Sequence, residues 1–468
     1  MLHALLPLVL RGAHSALGWD ETVYVSQIDP HAVAERFTAP RARGLTLLTA
    51  PASLLTSSLV VLRIWMAFLS GVGMLLAFLP WLRVRRSVVV PLAALMFSGL
   101  WVATYYSFEA MPNQYVAYGA LAASGWLVVW MRDPERRRWL WYATAAVAFT
   151  ALMRPTDSLF LLAPLIAAVL FRRGLSRRRR SLASGLLVAG LAAGFAEWVV
   201  EAYVRFGGPI QRFHEASAEN IGGLHWSLGA QMRVLAGPIL CRGTCQATTP
   251  LAYRLWWFAI PLFVVVGIWA ARRHRGATAY LIVSAVGLSI AAQYVLAIGY
   301  AAPRFLEPTY ALLALPAAEA VVWLWQQAGD KGRPLVVVAA LVLGVGQAVS
   351  QLHLLRLNDD RLQISADRAE LMASYLKDTG VRGPDCYVGG TEAGEIAFLA
   401  HCHVLAAGIA PDEQLDGDET AVVIAPDARP PRAAVVKWPD HTLTGQTAVN
   451  GWTVWRLNPG TSVLNGQV

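Results

Sequence analysis

Long apolar stretches separated by short arginine-rich segments run through most of this 468-residue chain. Hydrophobic residues make up 56% of the sequence and charged residues only 15%, which excludes an ordinary water-soluble domain and indicates a polytopic α-helical membrane protein. Runs near the roughly 17 to 25 residues that cross a bilayer as a helix predict about eleven spans. They cover residues 2–17, 58–81, 88–105, 115–131, 139–152, 159–171, 181–203, 255–271, 278–298, 310–325 and 335–353.

The first of these stretches also allows a second interpretation. It carries His3, Arg11 and His14 among its apolar residues, and it is short for a span. A cleaved signal peptide is the alternative, although no convincing small-residue cleavage site precedes Asp20. We therefore expect a membrane helix that ends just before Asp20.

The arginine-rich connections predict the orientation. Residues 83–86, 132–138, 172–180, 272–275 and 331–333 are basic and form every second connection. Short basic loops stay on the cytoplasmic side of a membrane. The net charge of +9 is therefore a topology signal, which also suits contact with anionic lipid head groups, and we expect no nucleic-acid partner.

The same alternation places the other connections, and everything from about Leu354, outside the cytoplasm. All four cysteines fall on this side, where disulfides persist. We expect Cys241 to pair with Cys245 and Cys386 with Cys402, although four cysteines allow three pairings. A metal site at Cys241 and Cys245 is the alternative, but no second close ligand pair accompanies them.

The last part of the chain regains charge and predicts a small extracytoplasmic α/β domain over residues 354–468, after a membrane domain over residues 1–353. Leu362, Leu371, Tyr375 and Leu376 fit one face of an amphipathic helix. Short apolar runs predict strands at residues 386–388, 404–406, 421–424, 433–436 and 452–455, with a helix at residues 395–401.

Polar residues collect at the predicted outer ends of the apolar stretches. An ionised side chain at the membrane centre costs about 2.5 to 3.5 kcal/mol on insertion scales, so such residues usually face a cavity and act on a ligand. The candidates are Asp20, Glu21, Glu109, Asn113, Gln114, Arg154, Asp157, Tyr300, Arg304 and Glu307.

Several of these side chains also have a purely structural interpretation. Arg154 and Asp157 are spaced to pair across a tight turn, and Arg304 suits an interface side chain that reaches towards head groups. Glu109 suits a solvated loop, and Asp20 suits a capping carboxylate. Arg63, inside its span, is expected to pair with Glu197 or Glu201 and hold helices together.

Three segments carry a resemblance to a known family. They are the acidic pair in residues 18–24, the Pro-Arg-Ala-Arg-Gly stretch at residues 40–44, and residues 300–308, which contain Tyr300, Arg304 and Glu307. With the long first outer loop, they resemble the GT-C superfamily of integral-membrane glycosyltransferases, in particular its protein-mannosyltransferase and aminoarabinose-transferase branch. The likeness covers roughly residues 1–353.

The resemblance implies a hexosyl- or pentosyltransferase that moves a sugar from a polyprenyl-phosphate donor to a glycan, lipid or protein acceptor outside the cytoplasm. The acid of the first outer loop, Asp20 with Glu21 beside it, would be the general base or would hold a divalent cation. Arg154 and Arg304 would bind the lipid phosphate. Glu109, Asn113, Asp157, Tyr300 and Glu307 complete the predicted substrate site.

A transporter or flippase of lipid-linked sugars is the main alternative, because membrane carboxylates and arginines also bind substrates without chemistry. Transporters commonly show internal repeats and helices broken near the midplane, and neither is evident in this sequence. A membrane anchor that only displays the C-terminal domain would not need about eleven spans. The sequence therefore favours the transferase.

Overall fold

The computed structural model describes residues 2–243, 245, 251–383, 385–405, 420–425, 441–447 and 452–459. The chain divides into two compact units. Unit 1 comprises Met1–Gly12, Thr38–Leu45 and Ile64–Asp359, and unit 2 comprises Ala13–Phe37, Thr46–Arg63 and Asp360–Val468. Most of the first predicted outer loop therefore belongs to the same unit as the C-terminal segment.

The described residues are mainly helical. The α-helices are α1 (Leu2–Arg11), α2 (Trp19–Val25), α3 (Gly44–Ser53), α4 (Leu59–Val84), α5 (Val89–Ser98), α6 (Trp101–Tyr106), α7 (Pro112–Arg132), α8 (Arg138–Met153), α9 (Pro155–Phe171), α10 (Arg177–Arg205), α11 (Pro209–Glu219), α12 (Leu228–Val234), α13 (Leu255–Ala270), α14 (Ala277–Leu296), α15 (Glu307–Gln327), α16 (Gly329–Asp378) and α17 (Ala393–Ala400). Short 3₁₀ helices cover Leu251–Arg254, Ala271–His274 and Pro303–Leu306.

Within the described ranges, six helical segments are long and apolar enough to cross a membrane. They are Leu59–Val84, Arg177–Arg205, Leu255–His274, Ala277–Leu296, Pro303–Gln327 and Gly329–Asp378. Val89–Ser98 and Pro155–Phe171 are apolar but shorter. The mainly helical, membrane-type architecture is thus confirmed, whereas the number of about eleven spans stays a prediction.

Several predicted boundaries were wrong. The first stretch, predicted as residues 2–17, ends its helix at Arg11, and the stretch at residues 88–105 forms two helices, α5 and α6. Between these, Leu100 is extended, with φ −77° and ψ 136°. The predicted span at residues 335–353 and the amphipathic helix after it are one continuous helix, α16. Because residues 354–378 contain neither glycine nor proline, nothing in their sequence interrupts that helix.

Close helix packing in unit 1 depends on glycines that face a neighbouring backbone. A Cβ atom built on Gly194 of α10 would lie 2.1 Å from the carbonyl oxygen of Ala148 in α8. One built on Gly267 of α13 would lie 1.8 Å from the carbonyl oxygen of Pro316 in α15. Since apolar lipid gives helices little hydrophobic reason to associate, such close approaches supply the packing contacts.

Unit 2 contains a five-stranded mixed sheet with the order β2-β1-β3-β5-β4. The strands are β1 (Cys386–Gly390), β2 (His403–Val404), β3 (Thr420–Ala425), β4 (His441–Thr447) and β5 (Thr453–Pro459). β1 runs parallel to β2 and β3, whereas β5 is antiparallel to β3 and β4. Buried side chains of β1, the end of α16 and α17 form one core, which includes Val388, Leu376 and Ile396.

The small C-terminal sheet and its helix confirm the predicted α/β character of this segment. The expected strand at residues 433–436 lies outside the described residues, and β4 was not predicted. Its sequence His-Thr-Leu-Thr-Gly-Gln-Thr has a single large apolar residue, because the strand lies at an edge of the sheet. A disulfide joins Cys386 at the start of β1 to Cys402 just before β2.

Candidate functional site

The acidic pair lies in the first turn of α2, in unit 2. Gly18 precedes the helix, and its backbone N–H donates to Oε2 of Glu21 at 3.0 Å. Carboxylates in a first helical turn are also favoured by the helix dipole. The local sequence therefore fixes Asp20 and Glu21 at the start of a short helix.

Glu21 is buried and forms an ion pair with Arg63. Nη1 of Arg63 lies 2.5 Å from Oε1 of Glu21, and Nη2 lies 3.0 Å from Oε2. Arg63 is itself fully buried and donates through Nε to the carbonyl oxygen of Ser15 at 3.0 Å. Both oxygens of Glu21 are thus bound by one guanidinium, a geometry that gives strong, directional pairing.

The predicted pairing of Arg63 with Glu197 or Glu201 was therefore wrong. In unit 1, Oε2 of Glu197 accepts the backbone N–H of Arg43 at 3.1 Å. Glu201 binds three arginines, with Nη2 of Arg43 at 2.5 Å, Nη2 of Arg212 at 2.7 Å and Nη1 of Arg205 at 3.3 Å. Arg43, in the 40–44 stretch, is thus bound to both Glu197 and Glu201, the two carboxylates that the sequence had led us to expect as partners of Arg63.

Asp20 has a different environment from Glu21. Its side chain is partly exposed, whereas only 2% of Glu21 is accessible. It lies one position earlier on α2, so that it points about 100° away around the helix axis. The two neighbouring carboxylates are thus separated into a buried, paired one and a more accessible one.

Two further carboxylates of unit 2 accompany the acidic pair. Burial, with a contribution from the negative charge of Glu395, raises the pKa of Glu35 to about 8. Burial also raises the pKa of Glu395, with contributions from Glu392 and Asp20. Neither carboxylate was predicted from the sequence, since both lie in polar segments where acidic residues carry no signal.

In unit 1, Asn113, Arg154 and Asp157 are brought together. Nη1 of Arg154 donates to Oδ1 of Asn113 at 3.2 Å, and its Nε lies 3.5 Å from Oδ2 of Asp157. Asp157 is fully buried and accepts the hydroxyl of Tyr294 at 2.7 Å and Nε2 of Gln293 at 3.1 Å. Arg154, whose side chain is 20% exposed, is the accessible end of this cluster.

Glu109 is buried and paired. Nη1 of Arg11 lies 3.0 Å from Oε1 of Glu109, and Nε of the same arginine lies 2.7 Å from Oδ1 of Asp359. Arg11 also donates to the carbonyl oxygen of Tyr105 at 2.7 Å. This network joins the end of α1 to the turn before α7 and to α16.

Arg304 and Glu307 lie in the 3₁₀ turn and the first residue of α15. Nη1 of Arg304 donates to the carbonyl oxygen of Ile239 at 3.4 Å, and its guanidinium lies 5.6 Å from the centre of the Phe305 ring. Glu307 is fully buried, and neither of its carboxylate oxygens has a hydrogen-bond partner in the described part of the chain. Glu307 lies within electrostatic range of Arg304 and Glu109.

Tyr300 is held next to this turn. Its hydroxyl donates to Oδ1 of Asn220 at 3.0 Å, and the guanidinium of Arg242 lies 4.8 Å from its ring centre. The neighbouring Ala301 exchanges two backbone hydrogen bonds with Cys241, at 2.8 and 3.1 Å. Because Cys241 is disulfide-bonded to Cys245, a cross-linked turn lies beside the segment that contains Arg304.

Four residues of these clusters were missed. Arg11 was noted only as a charge within the first apolar stretch, and Asp359 was not singled out from the charged segment that follows Leu354. Gln293 and Tyr294 lie inside the apolar α14. The polar amide of Gln293 within that apolar run was the sequence feature that could have identified them.

A divalent cation does not fit the acidic pair in this arrangement. Both oxygens of Glu21 are occupied by Arg63. Across the described ranges, no group of three or more His, Cys, Asp or Glu side chains is arranged to hold a metal ion. We therefore assign no step to a metal.

No protein-family model matches the chain, and no curated protein sequence matches it. Solved structures do. The chain is similar to ArnT from Cupriavidus metallidurans bound to undecaprenyl phosphate, with a TM-score of 0.66 and 14% identity over 100% of this chain and 98% of that one.

Two further structures share the fold. The oligosaccharyltransferase of Archaeoglobus fulgidus tethered to an acceptor peptide has a TM-score of 0.51 and 13% identity, covering 99% of this chain and 74% of that one. The mycobacterial arabinofuranosyltransferase AftD has a TM-score of 0.56 and 16% identity, covering 98% of this chain and 40% of that one. All three are GT-C glycosyltransferases. The resemblance to the GT-C superfamily is thus confirmed at the level of the fold.

Proposed function

We propose that this protein is an integral-membrane glycosyltransferase that moves a sugar from a polyprenyl-phosphate donor to an acceptor outside the cytoplasm, with Asp20 as the general base. The single observation that carries the choice of base is the contrast within the acidic pair. Glu21 is buried against Arg63, whereas Asp20 is partly exposed on the same helix. The shared GT-C fold supports the class of reaction.

Glu21 has a supporting role in this proposal. Both of its oxygens accept hydrogen bonds from the buried Arg63, and the side chain is almost completely inaccessible, so that an acceptor hydroxyl cannot approach it. Its contacts instead tie the start of α2 to Arg63 and to the N–H of Gly18. Asp20, on the more accessible side of the same turn, is the carboxylate that an acceptor hydroxyl can approach.

The reaction is a single displacement. Asp20 takes the proton of the acceptor hydroxyl while the hydroxyl oxygen attacks the anomeric carbon. The bond between that carbon and the phosphate oxygen breaks, and its electron pair leaves with the polyprenyl phosphate. The configuration at the anomeric carbon is therefore inverted. General base catalysis of this kind contributes typically about 10² to 10⁴-fold.

The leaving phosphate gains negative charge and needs cationic partners. We assign this role to Arg304 and Arg154 of unit 1. Both arginines lie next to predicted outer helix ends. Glu307 supports the assignment, because a buried carboxylate without a hydrogen-bond partner among the described residues suits a polar ligand such as a sugar hydroxyl.

The proposal is tested with purified protein in proteoliposomes that contain a polyprenyl-phosphate sugar and an acceptor supplied on one side only. We expect a glycosylated acceptor, one polyprenyl phosphate released for each sugar transferred, and inversion at the anomeric carbon by NMR. Movement of the intact lipid-linked sugar across the bilayer, without cleavage of its sugar–phosphate bond, would instead support the flippase.

A further inference from the structure

The C-terminal segment of unit 2 contacts the helix that carries the acidic pair. A Cβ atom built on Gly394, at the start of α17, would lie 2.5 Å from Cε3 and 2.8 Å from Cζ3 of the Trp19 ring. The indole thus lies directly over the backbone of α17. Any side chain larger than hydrogen at position 394 would displace Trp19, the residue immediately before Asp20.

Glu395 makes a second connection between the same two helices. Its carboxylate faces the backbone N–H of Trp19, which favours the charged form of Glu395 and opposes the rise in pKa that burial causes. Trp19 is the first residue of α2, and the first N–H groups of a helix have no partner within the helix. Glu395 therefore lies at the open N-terminal end of α2, where the N–H of Gly18 also donates to Glu21.

Glu395 lies beside residues of α2 and α4 and near several other charged side chains. Glu395 and Phe398 of α17 line a groove together with Thr22 of α2 and Leu59 of α4. The nearby charged groups include Asp20, Glu35 and Glu392, and Nη1 of Arg368 lies 3.8 Å from Oε1 of Glu392. Burial, with contributions from Glu392 and Asp20, raises the pKa of Glu395 and thereby favours its neutral form.

We propose that Gly394 and Glu395 are positioning residues that hold α2, and with it Asp20, in the geometry required for sugar transfer. The C-terminal domain would then be part of the catalytic machinery. This inference rests on the proposed function for its catalytic consequence, and on the contacts between α2 and α17 for its structural part.

The test uses the full-length protein in nanodiscs and three variants, Gly394→Ala, Glu395→Ala and Glu395→Gln. Gly394→Ala forces the indole away, and Glu395→Ala removes the carboxylate that faces the Trp19 N–H. Glu395→Gln keeps an acceptor oxygen and is the conservative rescue. Matched controls are Gly344→Ala, at a helical glycine with open space around it, and Glu370→Gln, at an exposed carboxylate.

The first readout is amide hydrogen exchange over residues 19–25, which needs no activity. We expect faster exchange in Gly394→Ala and Glu395→Ala, and wild-type exchange in Glu395→Gln and both controls. The second readout is sugar transfer. Because small misplacements of reacting groups are costly, kcat should fall by about 10-fold or more in the first two variants, with the donor KM unchanged.

Unchanged exchange over residues 19–25 in both damaging variants would overturn the inference whatever the protein's activity. Faster exchange with an unchanged kcat would overturn the catalytic role of the contact, as would an equal loss in Glu395→Gln and Glu395→Ala. A wild-type protein without sugar transfer would overturn the proposed function and the catalytic role together. That failure is recognisable, because the exchange experiment would still distinguish the variants.

Discussion

Helix α15 carries two buried glutamates with opposite surroundings, Glu307 at its first residue and Glu319 inside the helix. Glu319 binds Arg85 through both oxygens at 3.1 Å, and it also accepts Nε2 of His274 at 2.9 Å and the hydroxyl of Tyr280 at 3.0 Å. Glu307, on the same helix, has no hydrogen-bond partner for either oxygen among the residues that the structure describes. Both side chains are almost completely inaccessible.

The difference in hydrogen-bond partners distinguishes Glu319, a carboxylate with a structural role, from Glu307, a candidate for ligand binding. A buried carboxylate surrounded by donors holds its neighbours in place, and it needs no ligand. One without donors is unfavourable in the protein alone, and a polar ligand relieves that cost. Within the acidic pair the contrast is one of accessibility, because Glu21 is buried against Arg63 whereas Asp20 is partly exposed.

The largest effect on stability is expected at Glu319, the glutamate of α15 that is bound by Arg85, His274 and Tyr280. Glu319→Ala leaves Arg85 without its carboxylate and should lower the free energy of unfolding by about 3 to 5 kcal/mol. Glu307→Gln removes no partner and should change it by less than about 1 kcal/mol, while lowering sugar transfer. Thermal unfolding in detergent and transfer assays check both. Equal destabilisation by the two substitutions would contradict the comparison.

The same comparison predicts that Arg304 and Arg154 differ from Arg85 in their effect on the kinetics of the polyprenyl-phosphate donor. Arg304→Ala and Arg154→Ala should each lower kcat/KM for the polyprenyl-phosphate donor by about 10 to 100-fold, since a hydrogen bond to a charged group contributes roughly 1.5 to 3 kcal/mol. Arg85→Ala is the matched control, because it should cost stability and leave the donor kinetics of the folded fraction unchanged. Normal donor kinetics in both outer-end variants would remove these arginines from the site.

A smaller effect is expected from Glu35, whose pKa is raised to about 8. The folded protein keeps this proton at pH values where the unfolded chain, with an ordinary glutamate pKa of about 4.3, has released it. The free energy of unfolding should therefore fall as pH rises from about 4.3 to 8. Glu35→Gln should weaken that dependence, as measured by unfolding at a series of pH values. An unchanged pH profile would contradict the assignment.

Local patterns in the sequence were sufficient for much of this account. Apolar runs predicted the helical membrane architecture, and short apolar runs predicted most of the C-terminal sheet. Charges among apolar residues identified Arg304 and Glu307 as candidates. The partners of Asp157 could not be predicted, because they lie on a distant helix: the hydroxyl of Tyr294 binds this carboxylate from 137 residues away in the sequence.

The basic loops show another feature that local sequence does not predict. Arg85 was interpreted only as a topology signal, since its local sequence is a run of arginines after an apolar stretch. In the structure it is the bidentate partner of Glu319, 234 residues away. A single side chain can serve both roles, and only the fold distinguishes them.

The central claim is that Asp20, rather than Glu21, is the base. The most direct measurement is the rate of sugar transfer by Asp20→Asn, which keeps the size of the side chain but removes its basic oxygen, compared with Glu21→Gln in the same assay. We predict a fall of about 10²-fold or more for Asp20→Asn with donor binding retained. Glu21→Gln should chiefly reduce the yield of folded protein. Wild-type turnover by Asp20→Asn would contradict the account.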